Sequence, residues 1–570
     1  MSKNWKTAAC DETLATRVAA ESNLPPPLAS LLVSRGFRDA EAIDHFLQPR
    51  LSDLSDPFAL PGMDQAVDRI WSAIGAGERI VVFGDYDADG VSSTALMVRV
   101  LSRLGAQVQP FLPHRLDDGY GLSADTLKRC ADELHPQLLI TVDCGTGSIE
   151  AVKAASASGL DVVVTDHHEP AGHVAPALAV VNPKLGSEAC AKNLAGVGVA
   201  FKVCHALIKR GRDRGQAAAA ALDLKEYFDL VGIGTIADIV PLQDENRILA
   251  RYGLDRLNKT RSEGLKSLIA VSGIKNGVDA YHVGFLLGPR LNAAGRLGDA
   301  RAALELLLTD AAARALELAR QLDASNRERQ EVEAQIVEEA TQEIDGFFKP
   351  KEHFGLVLAR AGWHAGVIGI VASRISAKYR RPAVVISLDE AGMGRGSCRS
   401  IEGFSLVERL EDCSDLLVRF GGHAMAAGLD IEAGRVEAFR QRFDEVAAKA
   451  LSGTDLRAVQ NVDAWMDLAA VDEAFFQSIE RMRPFGFGNT TPVWAARGVR
   501  VVGAPRRVGD GKHLKLVLAS GGRQIDAIGF GLGDREVPEG PLDVAFQLQK
   551  NTYQGRESLQ LNVQDFRQAE

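Results

Sequence analysis

Between residues 80 and 241, short apolar runs alternate with longer stretches of helical character. The runs are Ile80 to Phe83, Gln107 to Leu112, Leu138 to Val142, Val162 to Thr165 and Leu178 to Val181. Runs this short read as buried strands, and strands alternating with helical segments predict βαβ units and a parallel sheet. Residues 310 to 345 contain neither Gly nor Pro and set Leu318, Leu322, Val332, Ile336 and Ile344 at helical spacing. At ~1.5 Å per residue such a helix spans roughly 50 Å. It reads as a connecting rod between two lobes, because Asn326 and Arg329 interrupt the seam that a coiled coil would need. Beyond it, Phe354 to Leu358 and Ala383 to Leu388 predict strands of a second α/β lobe. Near the end, Val499 to Val502, His513 to Leu518, Gln524 to Ile528 and Val544 to Leu548 alternate like short antiparallel strands. The first 55 or so residues look helical, broken at Leu24-Pro25-Pro26-Pro27.

A chain of 570 residues is too long for one core, so two to four domains are expected. Its 46% hydrophobic and 25% charged content is that of an ordinary soluble protein. No apolar run approaches the ~18 residues of a membrane span, and Met1-Ser2-Lys3-Asn4-Trp5 opens without an apolar signal segment, so no membrane association and a cytoplasmic location are expected. Seven scattered cysteines without a CxxC pair predict reduced thiols rather than a disulfide framework or a zinc site. The net charge of −10 argues against a protein that coats nucleic acid by bulk electrostatics. It leaves room for an enzyme with a local basic track.

The candidate chemistry sits at the ends of the predicted strands. After Ile80 to Phe83 comes Gly84-Asp85-Tyr86-Asp87-Ala88-Asp89-Gly90, with Ser92 to Thr94 reading as the opening of the next helix. After Leu138 to Val142 comes Asp143, and after Val162 to Thr165 comes Asp166-His167-His168. Asp238 emerges from the apolar, glycine-containing stretch 230–242. A lone Asp after a strand is most often a helix cap, and Asp89, beside Gly90, is expected to be one. Three Asp-bearing strand ends with a His-His pair are hard to explain as independent caps. In a parallel sheet they converge on one edge, where α/β folds bind ligands. Carboxylates with one imidazole suit manganese or magnesium, and enough of them for two cations suggests the two-metal clamp of phosphoester hydrolysis.

Two further features suit phosphate. Arg115 lies on a glycine-rich loop, and Arg290 and Arg296 flank Leu291-Asn292-Ala293-Ala294-Gly295 in a turn-rich segment. Guanidinium forks match phosphate oxygens. Residues 481 to 523 carry nine basic residues interleaved with Phe485, Phe487 and Trp494. Of these, Arg483, Phe485, Arg506, Arg507, Lys512 and Lys515 are the candidate nucleic-acid contacts of a small basic β-barrel of OB type. The turn Pro484 to Asn489 also reads in part as an interdomain connection.

In order and spacing, Asp85 to Gly90, Asp143, Asp166-His167-His168 and Gly234 to Asp238 resemble the four motifs of the DHH phosphoesterase superfamily. The resemblance implies a dinuclear Mn2+ or Mg2+ centre. Asp87, Asp143, His167 and Asp238 would bind one cation, and Asp85 with a bridging Asp143 the other. His168 would face the substrate phosphate, with Arg290 neutralising charge beside it and Asp166 orienting the histidines. Trp363 to Gly369, Gly394 to Ser400 and Phe420 to Ala424 match the DHH-associated domain in order, which implies substrate contacts from Ser397, Arg399 and His423, together with Arg296.

With the helical start, the long helix and the barrel, residues 25 to 565 resemble the RecJ family of this superfamily. The fold class implied is α/β: a parallel-sheet DHH domain (56–305) joined by a connecting helix (306–346) to a second α/β DHH-associated domain (347–455). A C-terminal OB-fold (456–570) completes the chain, and a helical segment (1–55) precedes it. The activity implied is 5′-to-3′ hydrolysis of single-stranded DNA to 5′-mononucleotides in mismatch and recombinational repair, with Arg115, Ser397 and Arg399 forming a 5′-phosphate pocket. Single-strand-binding protein and a helicase are the expected partners of a monomer. The rivals are a DHH hydrolase of small nucleotides, such as an oligoribonuclease, and a non-catalytic DNA-binding scaffold. Only the first would dispense with the basic barrel, so deletion from about residue 460 should separate long strands from dinucleotides as substrates.

Overall fold

The computed structural model describes residues 3–114, 121–170, 172–187, 191–297, 299–553 and 555–569. Five strands, Arg79–Gly84, Gln107–Phe111, Leu138–Val142, Asp161–Thr165 and Ala179–Val181, form the first sheet, and all neighbouring pairs in it are parallel. In sequence order the strands lie 2-1-3-4-5 across the sheet. The order reverses between Arg79–Gly84 and Leu138–Val142, so the loops after these two strands diverge and leave the crevice in which doubly wound sheets bind ligands. Ile80 to Phe83 and all of Leu138–Val142 are buried, as runs covered on both faces must be.

The helix after the first strand starts at Ala88, four residues earlier than Ser92. The Asp87 side chain accepts from the Asp89 and Gly90 N–H groups at 2.9 and 3.0 Å, and so caps it there. Asp87, rather than Asp89, is therefore the cap. Ser92, Ser93 and Thr94 lie inside the helix and are buried.

The connecting helix runs from Ala312 to Phe347, 36 residues or roughly 54 Å. Its polar interruptions are buried and matched. Arg329 donates to Glu333 at 2.6 Å and to Asn326 at 3.0 Å, and Arg374 of the second lobe also pairs with Glu333. The lobe it reaches is a mixed five-stranded sheet, ordered 419–422, 426–432, 393–399, 383–388, 356–361.

At the C-terminal end, strands Trp494–Val501, Leu542–Tyr553, Arg556–Gln568, Arg523–Gly529 and His513–Ser520 pair successively, and His513–Ser520 pairs back to Trp494–Val501, which closes a ring. One of its pairs is parallel, Asp526 to Ile528 against Gln560 to Asn562. The N-terminal segment is not the separate unit expected. Val18, Leu28, Leu31, Leu32 and Ile43 share one apolar core with Trp494, Phe546 and Phe566 of the barrel, and Asn4–Thr7 pairs with Val459–Val462. Trp494 is thus a core residue rather than a surface aromatic. Arg247 docks this module on the first lobe: its Nε donates to Phe46 O at 2.6 Å and its Nη2 to Arg483 O at 3.0 Å. Leu242 N donates to Phe487 O at 2.8 Å, so the Pro484 to Asn489 turn is an interdomain contact as expected. No helix among the described residues is long and apolar enough to cross a membrane.

Candidate metal centre

The crevice at the strand reversal gathers seven acidic and imidazole side chains, Asp85, Asp87, Asp89, Asp143, His167, His168 and Asp238. Asp85 and Asp87 follow the first strand, Asp143 the third, and His167 the fourth. Asp238 comes from the end of the buried helix Phe228–Ala237, packed against the helix Ala88–Arg103. Ligand atoms of Asp85, Asp87 and Asp143 lie within 4.8 Å of one another, as do those of Asp143, His167 and His168, and those of Asp89, His167 and Asp238. His167 Nε2 is 3.1 Å from Asp143 Oδ1 and 3.6 Å from Asp238 Oδ2. Residues distant in sequence thus meet around Asp143, which belongs to two of these groups.

The backbone is shaped to allow it. Asp143 adopts φ 61, a left-handed conformation that Asp tolerates better than most residues. Gly196 faces it so closely that a Cβ would stand 2.5 Å from Asp143 Oδ1, so only glycine fits.

The electrostatics call for cations. Burial, then the charges of Asp89, Asp87, Asp238 and Asp85, hold Asp143 well above the ordinary carboxylate range. Burial, with Asp89 and Asp87, pushes Asp238 up to about 9. Burial, with His168 beside it, brings His167 down to about 4, which leaves the ring neutral as a metal ligand must be. His167 Nε2 and Asp238 Oδ2 are buried and make no hydrogen bond among the described residues. Carboxylates that cannot all ionise together, beside a neutral imidazole, fit hard divalent cations.

Asp166 organises the histidines without joining the cluster. Its Oδ1 accepts from His167 N at 2.7 Å and His168 N at 3.1 Å, and lies 2.8 Å from His168 Nδ1; its Oδ2 accepts from Thr146 N at 2.9 Å. Asn182, which the sequence did not single out, donates to Thr146 Oγ1 and His168 O at 2.9 Å each. Asp89 is structural, but as a clamp: it accepts from Gly196 N and Val197 N at 2.7 and 2.8 Å. Asn292, also missed, accepts from Ala88 N at 2.7 Å.

Arg290 is placed differently from the expectation of a guanidinium turned to phosphate. Its Nε and Nη2 lie 3.0 and 2.8 Å from Asp323 Oδ1 of the connecting helix, and its Nη1 donates to Leu286 O at 2.7 Å. Every nitrogen of the fork is engaged, so Arg290 braces the helix that carries Asn292. Arg296 Nη1 donates to Gly366 O at 3.3 Å and joins the two lobes.

On the second lobe, Ser397 and Arg399 share one face of Met393–Arg399, with Arg399 Nη1 donating to Ser397 Oγ at 3.1 Å. A Cβ on Gly369, in the first turn of the helix Ile368–Tyr379, would lie 3.1 Å from Ser397 Oγ and 3.2 Å from Arg399 Nη2. A serine hydroxyl, a guanidinium and a helix N-terminus thus converge. His423 is exposed on the hairpin beside them. Arg115 lies outside the described residues.

Of the barrel residues, Arg506, Arg507 and Lys512 are exposed and Lys515 half-buried, with Arg506 opposite Lys515 across an antiparallel pair. Arg507 Nε donates to Gly533 O at 2.7 Å. Arg483 is held by Glu480 at 2.8 Å and lies over the half-buried Phe485 ring at 5.3 Å.

Three segments of the chain match models of known families. Residues 79–235 match the model of the DHH family N-terminal domain, 353–449 that of the DHHA1 domain and 462–565 that of the RecJ OB domain. The single-stranded-DNA-specific exonuclease RecJ of Salmonella typhimurium is 37% identical over 563 residues, 95% of this chain and 96% of that one. The RecJ of Bacillus subtilis is 39% identical over 571 residues, 98% of this chain and 70% of that one. Crystal structures of Thermus thermophilus RecJ with Mn2+ and with Mg2+ match the whole chain, covering 80% and 79% of theirs, at TM-scores of 0.85 and 0.79 and identities of 32% and 31%.

Proposed function

Because the chain belongs to the RecJ family of single-stranded-DNA-specific exonucleases, we propose that it degrades single-stranded DNA from the 5′ end to 5′-mononucleotides in DNA repair and recombination, with Mn2+ or Mg2+ as cofactor. The observation that carries the reading is the pairing of two sites: an acidic cluster around Asp143 on one lobe, and the Ser397–Arg399 pair under a helix N-terminus on the lobe joined to it.

Asp87, Asp143, His167 and Asp238 would hold one cation, and Asp85 with Asp143 a second. Bound there, they would supply charge to polarise the scissile phosphate and lower the pKa of attacking water. The remaining work falls to the chain's own side chains. Asp166 holds His168 Nδ1, and the partly exposed ring would meet the phosphate through Nε2. Ser397 and Arg399, with Arg115, take the terminal 5′-phosphate, which sets the polarity, and Arg296 and His423 line the same passage. The barrel holds the incoming strand through phosphate contacts and stacking that require no particular base.

A substrate without a complementary strand suits a helicase and a single-strand-binding protein as partners. Digestion of 5′- and 3′-labelled single strands and duplex, with Mn2+, Mg2+ or chelator, tests the reading. Mononucleotides released from the 5′ end of single strands only, and only with metal, are expected. Attack from the 3′ end or a preference for duplex overturns it.

A further inference from the structure

The buried face of the connecting helix Ala312–Phe347 changes character along its length. Ala315, Leu318, Ala319 and Leu322 belong to the core of the first lobe, and Ile336, Ala340 and Ile344 to a core of the second. Between them the same face carries Asp323, Asn326, Arg329 and Glu333, at helical spacing and all between 2% and 8% exposed. At ~1.5 Å per residue this polar stripe is about 15 Å long. It occupies the stretch where the helix has left one core and not yet entered the other.

Every member of the stripe is engaged, and its partners come from both lobes. Asp323 holds Arg290 at 2.8 Å, on the helix Gly288–Leu297 whose Asn292 supports Ala88 beside the metal cluster. Arg329 donates to Asn326 at 3.0 Å and to Glu333 at 2.6 Å. Glu333 also pairs with Arg374 of the helix Ile368–Tyr379, whose first turn sets Gly369 against Ser397 and Arg399. The stripe therefore runs from the support of one site to the support of the other. Where the lobes touch directly, Arg296 Nη1 donates to Gly366 O, and Gly366 approaches Arg296 O so closely that a Cβ would clash.

Apolar side chains would bury this face with no loss of stability, because the desolvation of paired charges about offsets their attraction. They would also let the helix settle in neighbouring registers against the second lobe. Charges tolerate less: a slide or rotation that parts Glu333 from Arg329 and Arg374 leaves a charge buried without its partner. We propose that this stripe is a spacer that fixes the separation of the metal cluster from the Ser397–Arg399 pair, and with it the length of the product. When one lobe holds the 5′-phosphate and the other the cations, the cut falls one nucleotide in only while the lobes keep this separation. Asn326, Arg329, Glu333 and Arg374 are thus positioning residues, which act through the two sites rather than on the substrate. The inference rests on the exonuclease reading with its 5′-phosphate pocket and adds to it what sets the product size.

The test uses the full-length protein with Mn2+ and two 30-mers of thymidylate, one ending in a 5′-phosphate and one in a 5′-hydroxyl, with the products separated by size. The wild type should release mononucleotides and favour the phosphorylated end. Asn326→Leu/Arg329→Met/Glu333→Leu replaces the polar groups by apolar ones of similar volume. It should melt at or above the wild-type midpoint and bind Mn2+ with wild-type affinity in calorimetry. It should also raise the share of dinucleotides among the first products about tenfold and lower the kcat/KM advantage of the 5′-phosphate about tenfold. Arg374→Ala, at a side chain 63% exposed and so safe for folding, should shift both readouts the same way, and carries the test if the triple variant does not fold. Arg374→Lys, which keeps a cation opposite Glu333, should stay near the wild type. Wild-type product size and phosphate preference in the variants overturn the spacer. An equal loss on both strands with product size unchanged overturns it too, since that is what a merely structural role would give. If the wild type itself shows no preference for the 5′-phosphate, the phosphate-pocket reading fails and the spacer with it, a result seen before any variant is compared.

Discussion

Asp166 Oδ1 lies 2.8 Å from His168 Nδ1 and accepts from the backbone N–H groups of both His167 and His168. One carboxylate oxygen therefore fixes the ring of one histidine and the backbone of two. Asp166→Asn leaves one acceptor oxygen where the carboxylate has two, so an amide that keeps the three Oδ1 bonds turns its NH2 against the Thr146 N–H. The rate on single-stranded DNA should fall about 10–100-fold. Because Asp166 acts through His168, the substitution should cost little more in a His168→Ala background. Two losses that multiply would show instead that Asp166 acts on its own.

Asp143 stands between both halves of the cluster, with its carboxyl held well above its ordinary range by burial and four neighbouring carboxylates. Removing its charge should relieve repulsion while removing the shared ligand. Asp143→Asn is therefore expected to match or exceed the wild type in thermal stability under chelator, yet show no rise in midpoint with Mn2+. The wild type should gain about 2.7 kcal/mol for each site at a Mn2+ concentration of 100 Kd. Calorimetric melts with and without metal decide it, and an undiminished Mn2+ shift in the variant would remove Asp143 from the centre.

Most of this site was legible in the sequence because Asp85, Asp87, Asp143 and His167 follow short buried strands, whereas Asp238 follows a buried helix. The strands Leu138–Val142 and Ala383–Leu388 have the expected bounds. What escaped depends on contacts that periodicity cannot carry. Asp87 and Asp89 are two residues apart with similar neighbours; only the approach of Gly196 and Val197 makes Asp89 a clamp and leaves the cap to Asp87. Arg290 looked like a phosphate ligand because its partner, Asp323, lies 33 residues away on a helix whose orientation the pattern does not fix. The helical start and the barrel read as separate units because nothing in either announces that Leu28 and Trp494 share a core.

Asn292 accepts the Ala88 N–H at 2.7 Å, and Gly295 on the same helix would bring a Cβ to 3.1 Å from Tyr86 O. The helix Gly288–Leu297 thus supports the loop that carries Asp85 and Asp87. Asn292→Ala leaves the Ala88 N–H without this acceptor, at about 1–3 kcal/mol. Mn2+ affinity should fall about tenfold, with activity recovered at high Mn2+. Activity that stays low at saturating metal would place the defect in substrate handling rather than in the loop.

Deleting the barrel is a poor test of its role, because the N-terminal helices would lose the core they share with it. Charge reversal on its surface avoids this. Arg506 and Lys515 face one another across an antiparallel pair, and among the described residues neither side chain makes a hydrogen bond or ion pair, unlike those of Arg483 and Arg507, which do. If both bind phosphates of the strand, each releases counterions worth ~0.7 in the slope of log affinity against log salt. Arg506→Glu/Lys515→Glu should raise KM on a 30-mer, reduce that slope by about 1.4, and leave the melting midpoint and the hydrolysis of dinucleotides near wild type. Equal damage to dinucleotide and 30-mer would show that the reversed charges act on the metal cleft or the fold, and the strand would then have to reach the cluster by a path that avoids this hairpin.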